Sequence, residues 1–294
     1  MLYLERFDLP TDRDELNFVY EDLRLDSAYY QSKGGAYPFH MFPQMGLSQI
    51  SFAPITVFYG GNGSGKSTLL NVIAEKLCLS RSAPFNQSPF FETYLSKCKY
   101  TLPTGKRIPG ESRIVTSDDV FEFLLDFRSV NQGIDAERER LMEEWMTLRK
   151  DDSFHMQSLS DFEKLQNSNR AKRMTRSAYY TYRRLPQNLA GRSNGESAFE
   201  IFKDRIRENA LYLLDEPENS LSVKLQKELA TFLEESVRFY GCQLVISTHS
   251  PFILSLKGAK IYDLDSRPVL VRKWTELENV RIWYDFFEEH QKEF

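Results

Sequence analysis

A glycine-rich loop that ends in Lys66 and Ser67 is the stretch of this sequence whose residue types and spacing best fit a chemical task. Residues 60–68 read G-G-N-G-S-G-K-S-T and match the pattern G-x-x-x-x-G-K-[ST]. The glycines allow backbone N–H groups to turn towards the β- and γ-phosphates of a nucleotide, Lys66 adds a positive charge there, and the Ser67 hydroxyl can ligate Mg²⁺. The predicted binding residues are Gly60, Asn62, Gly63, Ser64, Gly65, Lys66, Ser67 and Thr68.

The residues on either side of this loop agree with that interpretation. Residues 54–59 are typical of a short buried strand, and apolar residues recur at helical spacing after the loop, at Leu69, Leu70, Ile73 and Leu77. A strand, a glycine loop and a helix N-terminus in this order form an anion site, because the first N–H groups of the helix point at the ligand. The alternative is a flexible Gly/Ser loop that happens to precede a lysine, and the complete pattern with both flanks disfavours it.

Asp215 and Glu216 directly follow an apolar run, A-L-Y-L-L, at residues 210–214. Such a run predicts a central parallel strand covered on both faces, and open α/β sheets bind ligands at the carboxyl ends of their strands. We expect Asp215 to share the Mg²⁺ ion with Ser67, and Glu216 to polarise the attacking water as general base. The alternative is an ordinary turn after a strand, which the complete phosphate loop disfavours.

His249 follows a second apolar strand pattern, Q-L-V-I-S, at residues 243–247. An imidazole at the edge where Asp215 emerges can hydrogen-bond a γ-phosphate and report its presence, whereas a lone histidine is more often structural. An amphipathic crossover helix is predicted between the two strands from the spacing of Leu225, Leu229, Phe232, Leu233 and Val237. Upstream, Ser193 and Gly195 open a further helix and predict a second anion site.

Taken in order, these motifs resemble those of ABC-type ATPases. They are the phosphate loop, S-x-G-E at 193–196, L-L-D-E-P at 213–217, E-N-S-L at 218–221 and S-T-H-S-P at 247–251. The chain is more similar to the heads of RecF and SMC proteins, and to small predicted bacterial ATPases of that group, than to transporter subunits. The resemblance covers residues 48–80 and 190–265.

The resemblance implies an ATPase that converts ATP and water to ADP and phosphate with Mg²⁺. In this family the signature of one subunit caps the nucleotide held by the other, so Ser193 and Gly195 would act across a homodimer. Residues 218–221 would form the D-loop and His249 would be the switch histidine. The sequence departs from the family in two places. The signature does not contain the sequence L-S-G-G-Q. In addition, no glutamine follows the strand predicted at residues 113–116, and Asp118 is the nearest polar candidate for the Q-loop residue.

The expected fold class is α/β: a P-loop NTPase of the ABC-type ATPase head kind, with N-terminal antiparallel strands and a helical insertion. We predict a single domain, 1–294. It comprises an N-terminal lobe with the phosphate loop (1–80), the insertion (81–190), and a lobe with the signature, acidic strand and switch histidine (190–294). Within the insertion a helix is expected to begin at residues 117–119, and a charged amphipathic helix is expected at 134–150. The closing helix, with Val280, Trp283, Phe286 and Phe287, is expected to serve packing only.

Composition is that of a soluble globular protein, with 41% hydrophobic and 27% charged residues. No apolar run approaches the length that a bilayer requires, and the acids near the N-terminus exclude a signal peptide. Cys78, Cys98 and Cys242 are far apart and outside any C-x-x-C spacing, so we expect reduced, buried thiols and a cytoplasmic protein without a membrane partner.

A basic segment interrupts this acidic chain of net charge −4. Residues 170–192 hold no acid, and their cations are Arg170, Lys172, Arg173, Arg176, Arg183, Arg184 and Arg192. With the interleaved tyrosines they predict contact with DNA or RNA phosphates, supported by stacking. Two alternatives remain: a solvated helical face, or arginines that serve the protein's own nucleotide.

Three classes of function are compatible with these motifs. The first is an ATP switch in DNA repair or antiviral (anti-phage) defence, favoured by the basic segment and the SMC-like motifs. The second is a regulatory ATPase that controls a separate effector or toxin subunit. The third is the ATPase subunit of a membrane transporter, which is disfavoured by the signature sequence and by the missing Q-loop glutamine.

Overall fold

The computed structural model describes residues 1–15, 37–150, 166, 169–170, 172–187, 194–219 and 221–294. The chain divides into two compact units, one made of Met1–Phe121 with Asn194–Phe294, and the other of Glu122–Ser193. The division into one domain with an insertion at 81–190 stays a prediction.

The strands are β1 (Arg6–Asp8), β2 (Gln49–Ser51), β3 (Ile55–Tyr59), β4 (Lys99–Thr101), β5 (Arg113–Thr116), β6 (Leu211–Asp215), β7 (Gln243–Ser247), β8 (Lys260–Asp263) and β9 (Leu270–Arg272). The helices are α1 (Met41–Gln44), α2 (Lys66–Lys76), α3 (Phe91–Lys97), α4 (Ser117–Lys150), α5 (Arg176–Tyr182), α6 (Asn194–Arg205), α7 (Val223–Phe239), α8 (Pro251–Leu254) and α9 (Glu278–Glu289). Short 3₁₀ turns lie at Trp274–Glu276 and Gln291–Glu293. None of the helices in the described ranges combines the length and the hydropathy that crossing a bilayer needs.

Two sheets organise the first unit. The larger has the order β5-β6-β7-β3-β8-β9, and its pairs are parallel except for the antiparallel β8–β9 pair. The smaller sheet is antiparallel, with the order β2-β1-β4. The α/β fold class, with a phosphate loop between a central strand and a helix and with antiparallel N-terminal strands, is confirmed.

The three central strands of the larger sheet position the predicted site. Every residue of β3, β6 and β7 is buried, which explains why each reads as a continuous apolar run rather than as an alternating one. Because these strands are parallel, the loop after β3, the acids at the end of β6 and the turn after β7 lie at the same edge.

The second unit contains most of α4, which begins at Ser117 as predicted. Asp119 caps this start, because its Oδ2 accepts the N–H of Thr116 at 2.7 Å. The helix expected at 134–150 is the C-terminal half of this single 34-residue helix rather than a separate element. In the second unit Tyr179 of α5 packs against Leu141 and donates its hydroxyl to Glu144 at 3.0 Å.

Two expectations about side-chain burial are wrong. Cys78 is exposed, although Cys98 and Cys242 are buried as expected. The closing helix α9 is not a packing element along its length: Val280 is buried, but Trp283, Phe286 and Phe287 are 53%, 50% and 50% exposed. The reason is that α9 meets the described part of the chain mainly at its first turn, where Leu277 and Val280 are buried.

Candidate nucleotide site

The loop of residues 60–65 connects β3 to α2 and requires glycine at several positions. Gly63 and Gly65 have positive φ angles of +80° and +91°. A Cβ on Gly60 would lie 2.6 Å from the Ser64 hydroxyl, and a Cβ on Gly65 would lie 2.3 Å from Cε of Met41. A Cβ on Gly63 would meet no atom within 4 Å, so the loop is open there.

Lys66 is folded back over this loop. Its ammonium donates to the carbonyl oxygens of Gly60 at 2.7 Å and Gly61 at 3.1 Å, and it lies 3.5 Å from Oε1 of Glu216. The side chain is only 4% exposed, so its charge is satisfied by the loop and by the acid. Lys66, the predicted phosphate ligand, therefore forms an ion pair with Glu216, the predicted general base.

The two predicted metal ligands, Ser67 and Asp215, contact each other. The Ser67 hydroxyl donates to Oδ1 of Asp215 at 3.1 Å, and Ser247 donates to the same oxygen. The β6–β7 register places Asp215 directly opposite Ser247. Burial raises the pKa of Asp215 above its ordinary range, while the hydrogen bonds from Ser247 and Ser67 act in the opposite direction.

Glu216 stands at the centre of a polar cluster with Lys66, His249 and Asn219. Nε2 of His249 lies 3.2 Å from Oε1 of Glu216, and the Asn219 amide donates to Oε2 at 3.0 Å. The contact with His249 is the main reason that the pKa of Glu216 falls to about 2, and Asn219 and Lys66 act in the same direction. Glu216 also has a positive φ of 47°, an uncommon conformation for a non-glycine residue.

Glu218 is a functional candidate that reasoning from the sequence placed only within the D-loop. Its Oε1 accepts from the hydroxyl of Thr248 at 2.6 Å and from the backbone N–H groups of His249 at 2.7 Å and Ser250 at 3.1 Å. The carboxyl is 8% exposed, and burial raises its pKa. Glu218 therefore fixes the turn that carries His249. The signal available in the sequence was the third acid of the D-E-P-E run at residues 215–218.

Asp265 is a second residue that the sequence analysis did not find. Both of its carboxylate oxygens accept the backbone N–H of Gly61, at 2.9 and 2.7 Å. The turn after β8 thus braces the start of the phosphate loop. The two residues are 204 positions apart, so no local pattern connects them.

Two cavities meet at Ser67 and Thr68. One, of about 320 Å³, is lined by Met41, Glu216 and loop residues that include Asn62, Gly63, Gly65 and Lys66. The other, of about 420 Å³, is lined by residues that include Tyr37, Arg81, Phe85, Asp118 and Asp215. Asp118, the Q-loop candidate, therefore faces the same cavity as the predicted metal ligand Asp215. Tyr37 also donates its hydroxyl to Thr68 at 2.9 Å.

The remaining predicted site residues are only partly described. Ser193 lies outside the described residues, and Gly195 is in the first turn of α6. Of the basic segment, Arg192 lies outside the described residues, whereas Arg173, Arg176 and Arg184 are exposed. Two other arginines have partners within their own unit: Arg183 pairs with Glu144 at 3.0 Å, and Arg170 stacks on the Tyr182 ring at 5.1 Å.

The side chains at this edge fit Mg²⁺ and a nucleotide phosphate. A hydroxyl and a buried carboxylate are oxygen ligands, and Mg²⁺ takes few protein ligands because it keeps several waters. In the described ranges, no cluster of three or more His, Cys, Asp or Glu forms an all-protein metal cage. The open space at Gly63 and the N-terminus of α2 suit an anion.

Comparison with known proteins supports this assignment over part of the chain. Residues 201–255 match a family described as "AAA domain, putative AbiEii toxin, Type IV TA system". That segment contains Asp215, Glu216, Glu218 and His249 but not the phosphate loop, so the similarity to this family covers the end of β6 and the His249 turn. No curated protein sequence matches the chain.

Similar solved structures are SMC heads with low sequence identity. The Smc head domain of Pyrococcus furiosus, bound to the C-terminal domain of ScpA, is 13% identical with a TM-score of 0.40, over 99% of this chain and 100% of that chain. The SMC head domain of Thermotoga maritima is 14% identical with a TM-score of 0.38, over 89% of this chain and 94% of that chain.

Proposed function

We propose that this protein is a molecular switch that binds ATP with Mg²⁺, closes as a homodimer around it, and hydrolyses it to ADP and phosphate. The observation that carries the proposal is the network at one sheet edge. There Lys66 and Ser67 of the phosphate loop contact Glu216 and Asp215 of the β6 end. Binding, metal coordination and water activation need these residue types within a few ångströms of one another.

The phosphate loop would receive the nucleotide by exchanging partners. Lys66 would leave the carbonyl oxygens of Gly60 and Gly61, and its charge would bind the β- and γ-phosphates at the N-terminus of α2. Ser67 and Asp215 would hold Mg²⁺, which supplies positive charge to the phosphates when bound. Burial disfavours the charged form of Asp215, and a bound Mg²⁺ would favour it. Asp215 can therefore act as a metal ligand when the cation is present.

Glu216 would gain basicity during this exchange. With its pKa near 2 in the present arrangement, the carboxylate is ionised but accepts a proton weakly. When Lys66 moves to the phosphates, one of the contacts that lower this pKa is removed, and the carboxylate becomes a better acceptor for the proton of the attacking water. The movement of Lys66 from Glu216 to the phosphates would therefore couple ATP binding to the basicity of Glu216, while His249 and Asn219 still hold its pKa down.

His249 would report the γ-phosphate to the rest of the chain. Its turn is fixed by Glu218, and its ring contacts Glu216. A γ-phosphate that takes a hydrogen bond from His249 competes with Glu216 for the imidazole, so the ring is placed to sense whether ATP or ADP is bound. Ser193 and Gly195 would complete the site from the second subunit.

The biological role that we favour is control of a separate effector protein. The description of the family that matches residues 201–255 names a toxin–antitoxin system. That description fits an ATPase that controls the activity of another protein through its bound nucleotide. A role on nucleic acid, in DNA repair or antiviral defence, is the second candidate, favoured by the exposed cations Arg173, Arg176 and Arg184.

The replacement Glu216→Gln tests the proposed chemistry. It keeps the shape of the side chain but removes the base, so ATP turnover should fall by at least ~10²-fold while ATP binding persists. ATP should then stay trapped between the two subunits, so labelled ATP should leave Glu216→Gln much more slowly than a single-site monomer would release it. Glu235→Gln, a change of the same type on α7, is the matched control. Unchanged turnover in Glu216→Gln would overturn the assignment of the base, and a monomer with bound ATP would overturn the closing dimer.

A further inference from the structure

Helix α9 carries an apolar face that the described part of the chain leaves largely uncovered. Ile282, Trp283, Phe286 and Phe287 are 59%, 53%, 50% and 50% exposed. They recur three and four positions apart, so they lie on one side of the helix. Contiguous apolar surface of this kind on a soluble protein marks an interaction site.

One edge of this face borders a groove of about 740 Å³ in the first unit. The α9 wall of the groove consists of Val280, Arg281, Trp283, Tyr284 and Phe287. The opposite wall is formed by Val223 and Gln226 of α7, Pro251 and Phe252 of α8, and Trp274 with Thr275. Ile282 and Phe286, on the other edge of the face, do not line it. The helix thus presents both half of an apolar groove and an apolar edge outside that groove.

The charges beside these two features are opposite in sign. Lys227 lies one helical turn after Val223, a residue of the groove wall, and no carboxylate of the described part of the chain pairs with it. On α9, Glu289 lies beside Phe286, and Asp285 lies beside Ile282, where it pairs with Arg281 of the groove wall at 3.3 Å. An α9 helix laid into the groove by its outer edge would bring Glu289 towards Lys227.

We propose that the groove binds α9 of a second copy of this chain. The outer edge of α9 in each copy, formed by Ile282 and Phe286, enters the groove of the other copy, and the two contacts are related by a two-fold axis. The pairing covers both apolar edges of each helix at once and sets Glu289 against Lys227. Apolar burial supplies the affinity, and the charges set the register.

This contact does not use the phosphate loop, so it forms without nucleotide. It is nevertheless linked to the turn that carries His249. Gln226 in the groove wall accepts from the Ser250 hydroxyl at 2.9 Å and donates to the carbonyl of Leu221 at 3.1 Å. A change at the switch turn therefore reaches the groove wall through one side chain.

The test is the mass of the full chain by light scattering after size exclusion, with no nucleotide present. The wild type should be a dimer. Val223→Asp in the groove wall and Phe286→Asp on the outer edge should each weaken self-association by at least ~10-fold, because each places a charge in an apolar contact. Both side chains are exposed, so neither change should unfold the chain. Phe239→Asp, at an exposed position outside the groove, is the control and should stay dimeric.

Mixing the two weakened variants tests the reciprocal geometry. A Val223→Asp copy keeps its outer edge, and a Phe286→Asp copy keeps its groove, so a mixed pair has one intact contact and should recover part of the dimer. A wild type that is monomeric without nucleotide would overturn the proposal and would leave the groove to a different protein. A dimer insensitive to both changes, or a mixture that recovers no dimer, would overturn it as well.

Discussion

Nζ of Lys66 lies 3.5 Å from Oε1 of Glu216, so the phosphate loop and the end of β6 are tied together by opposite charges. The same ammonium also donates to two carbonyl oxygens of its own loop, which gives it three partners to exchange for phosphate oxygens. Lys66 is thus the residue through which nucleotide binding can act on the proposed base.

The first prediction concerns this lysine. Lys66→Ala should weaken ATP binding by at least ~10²-fold, since the phosphates lose a charge-assisted hydrogen bond and a cation within the loop. Isothermal calorimetry measures the affinity directly. Lys106→Ala, at an exposed loop position, should bind ATP as the wild type does. Wild-type affinity in Lys66→Ala would contradict the assignment of the phosphate loop.

The second prediction concerns Glu218, whose carboxylate satisfies three donors of the His249 turn. Glu218→Ala leaves the Thr248 hydroxyl and the His249 N–H without this acceptor, whereas the Ser250 N–H keeps Oγ1 of Thr248 at 3.0 Å. Each buried donor that stays unsatisfied costs about 1–3 kcal/mol. Both the free energy of unfolding in urea and the ATP turnover should fall. Glu218→Gln keeps an amide oxygen as acceptor and should recover much of both. Turnover that survives Glu218→Ala would show that the turn does not depend on this carboxyl.

The third prediction is a pH dependence that originates at Glu15. Its carboxyl is 1% exposed, and Oε2 accepts the N–H of His40 at 2.5 Å. Burial raises the pKa from 4.5 to about 7, and the neighbouring Asp12 and Asp14 act in the same direction. The folded state therefore binds a proton more tightly than the unfolded state does. The stabilisation is complete below pH 4.5 and is lost as the pH rises through about 7.

Glu15→Gln should remove that dependence. The free energy of unfolding, measured in urea between pH 4.5 and 8, should decline less steeply in the variant. At pH 8 the variant should be more stable by up to roughly 3 kcal/mol. Glu5→Gln is the control, because that side chain is exposed and is not one of the charges that raise the pKa of Glu15. Parallel curves for Glu15→Gln and the wild type would contradict the prediction.

The fold and the phosphate loop were readable from the sequence because both depend on local patterns. β3, β6 and β7 are buried on both faces and so appear as unbroken apolar runs, and the glycines of the loop are set by backbone angles within a few residues. Parallel strands also place their carboxyl ends together, which brings Ser67 next to Asp215.

The contacts that the sequence did not predict join distant segments or depend on what covers a surface. Asp265 reaches Gly61 from 204 positions away, and its turn carries no motif. The periodicity of α9 indicates an apolar face, but periodicity cannot show whether that face is packed inside the chain. Trp283 and Phe287 are half exposed because the groove beside them is empty of side chains from the described residues.

The fourth prediction tests whether the signature acts across subunits. Gly195→Asp places a carboxylate against the phosphates of the partner's nucleotide, so that variant should be inactive, as should Lys66→Ala. An equimolar mixture of the two should regain ATP turnover, since one of its sites combines an intact loop with an intact signature. The control mixture combines Lys66→Ala with the double variant Lys66→Ala/Gly195→Asp. It has no site with an intact loop and should stay inactive. No recovery in the first mixture would argue against a shared site.

The last prediction concerns the basic segment and separates the two proposed roles. Replacing Arg173, Arg176 and Arg184 with Gln removes exposed charge, so affinity for duplex DNA should drop. The slope of log affinity against log salt should shrink by up to ~0.9 for each DNA phosphate that the variant no longer neutralises.

Arg183→Gln is the matched control for that experiment, because Arg183 pairs with Glu144 at 3.0 Å and is less free to meet phosphate. Arg183→Gln should reduce the salt slope less than replacement of Arg173, Arg176 or Arg184 does. ATP turnover without DNA should survive in the triple variant, since its side chains lie on the surface of the second unit. If DNA affinity and salt slope are unchanged, the nucleic-acid role fails and control of a separate effector is favoured. If turnover disappears instead, these arginines serve the nucleotide.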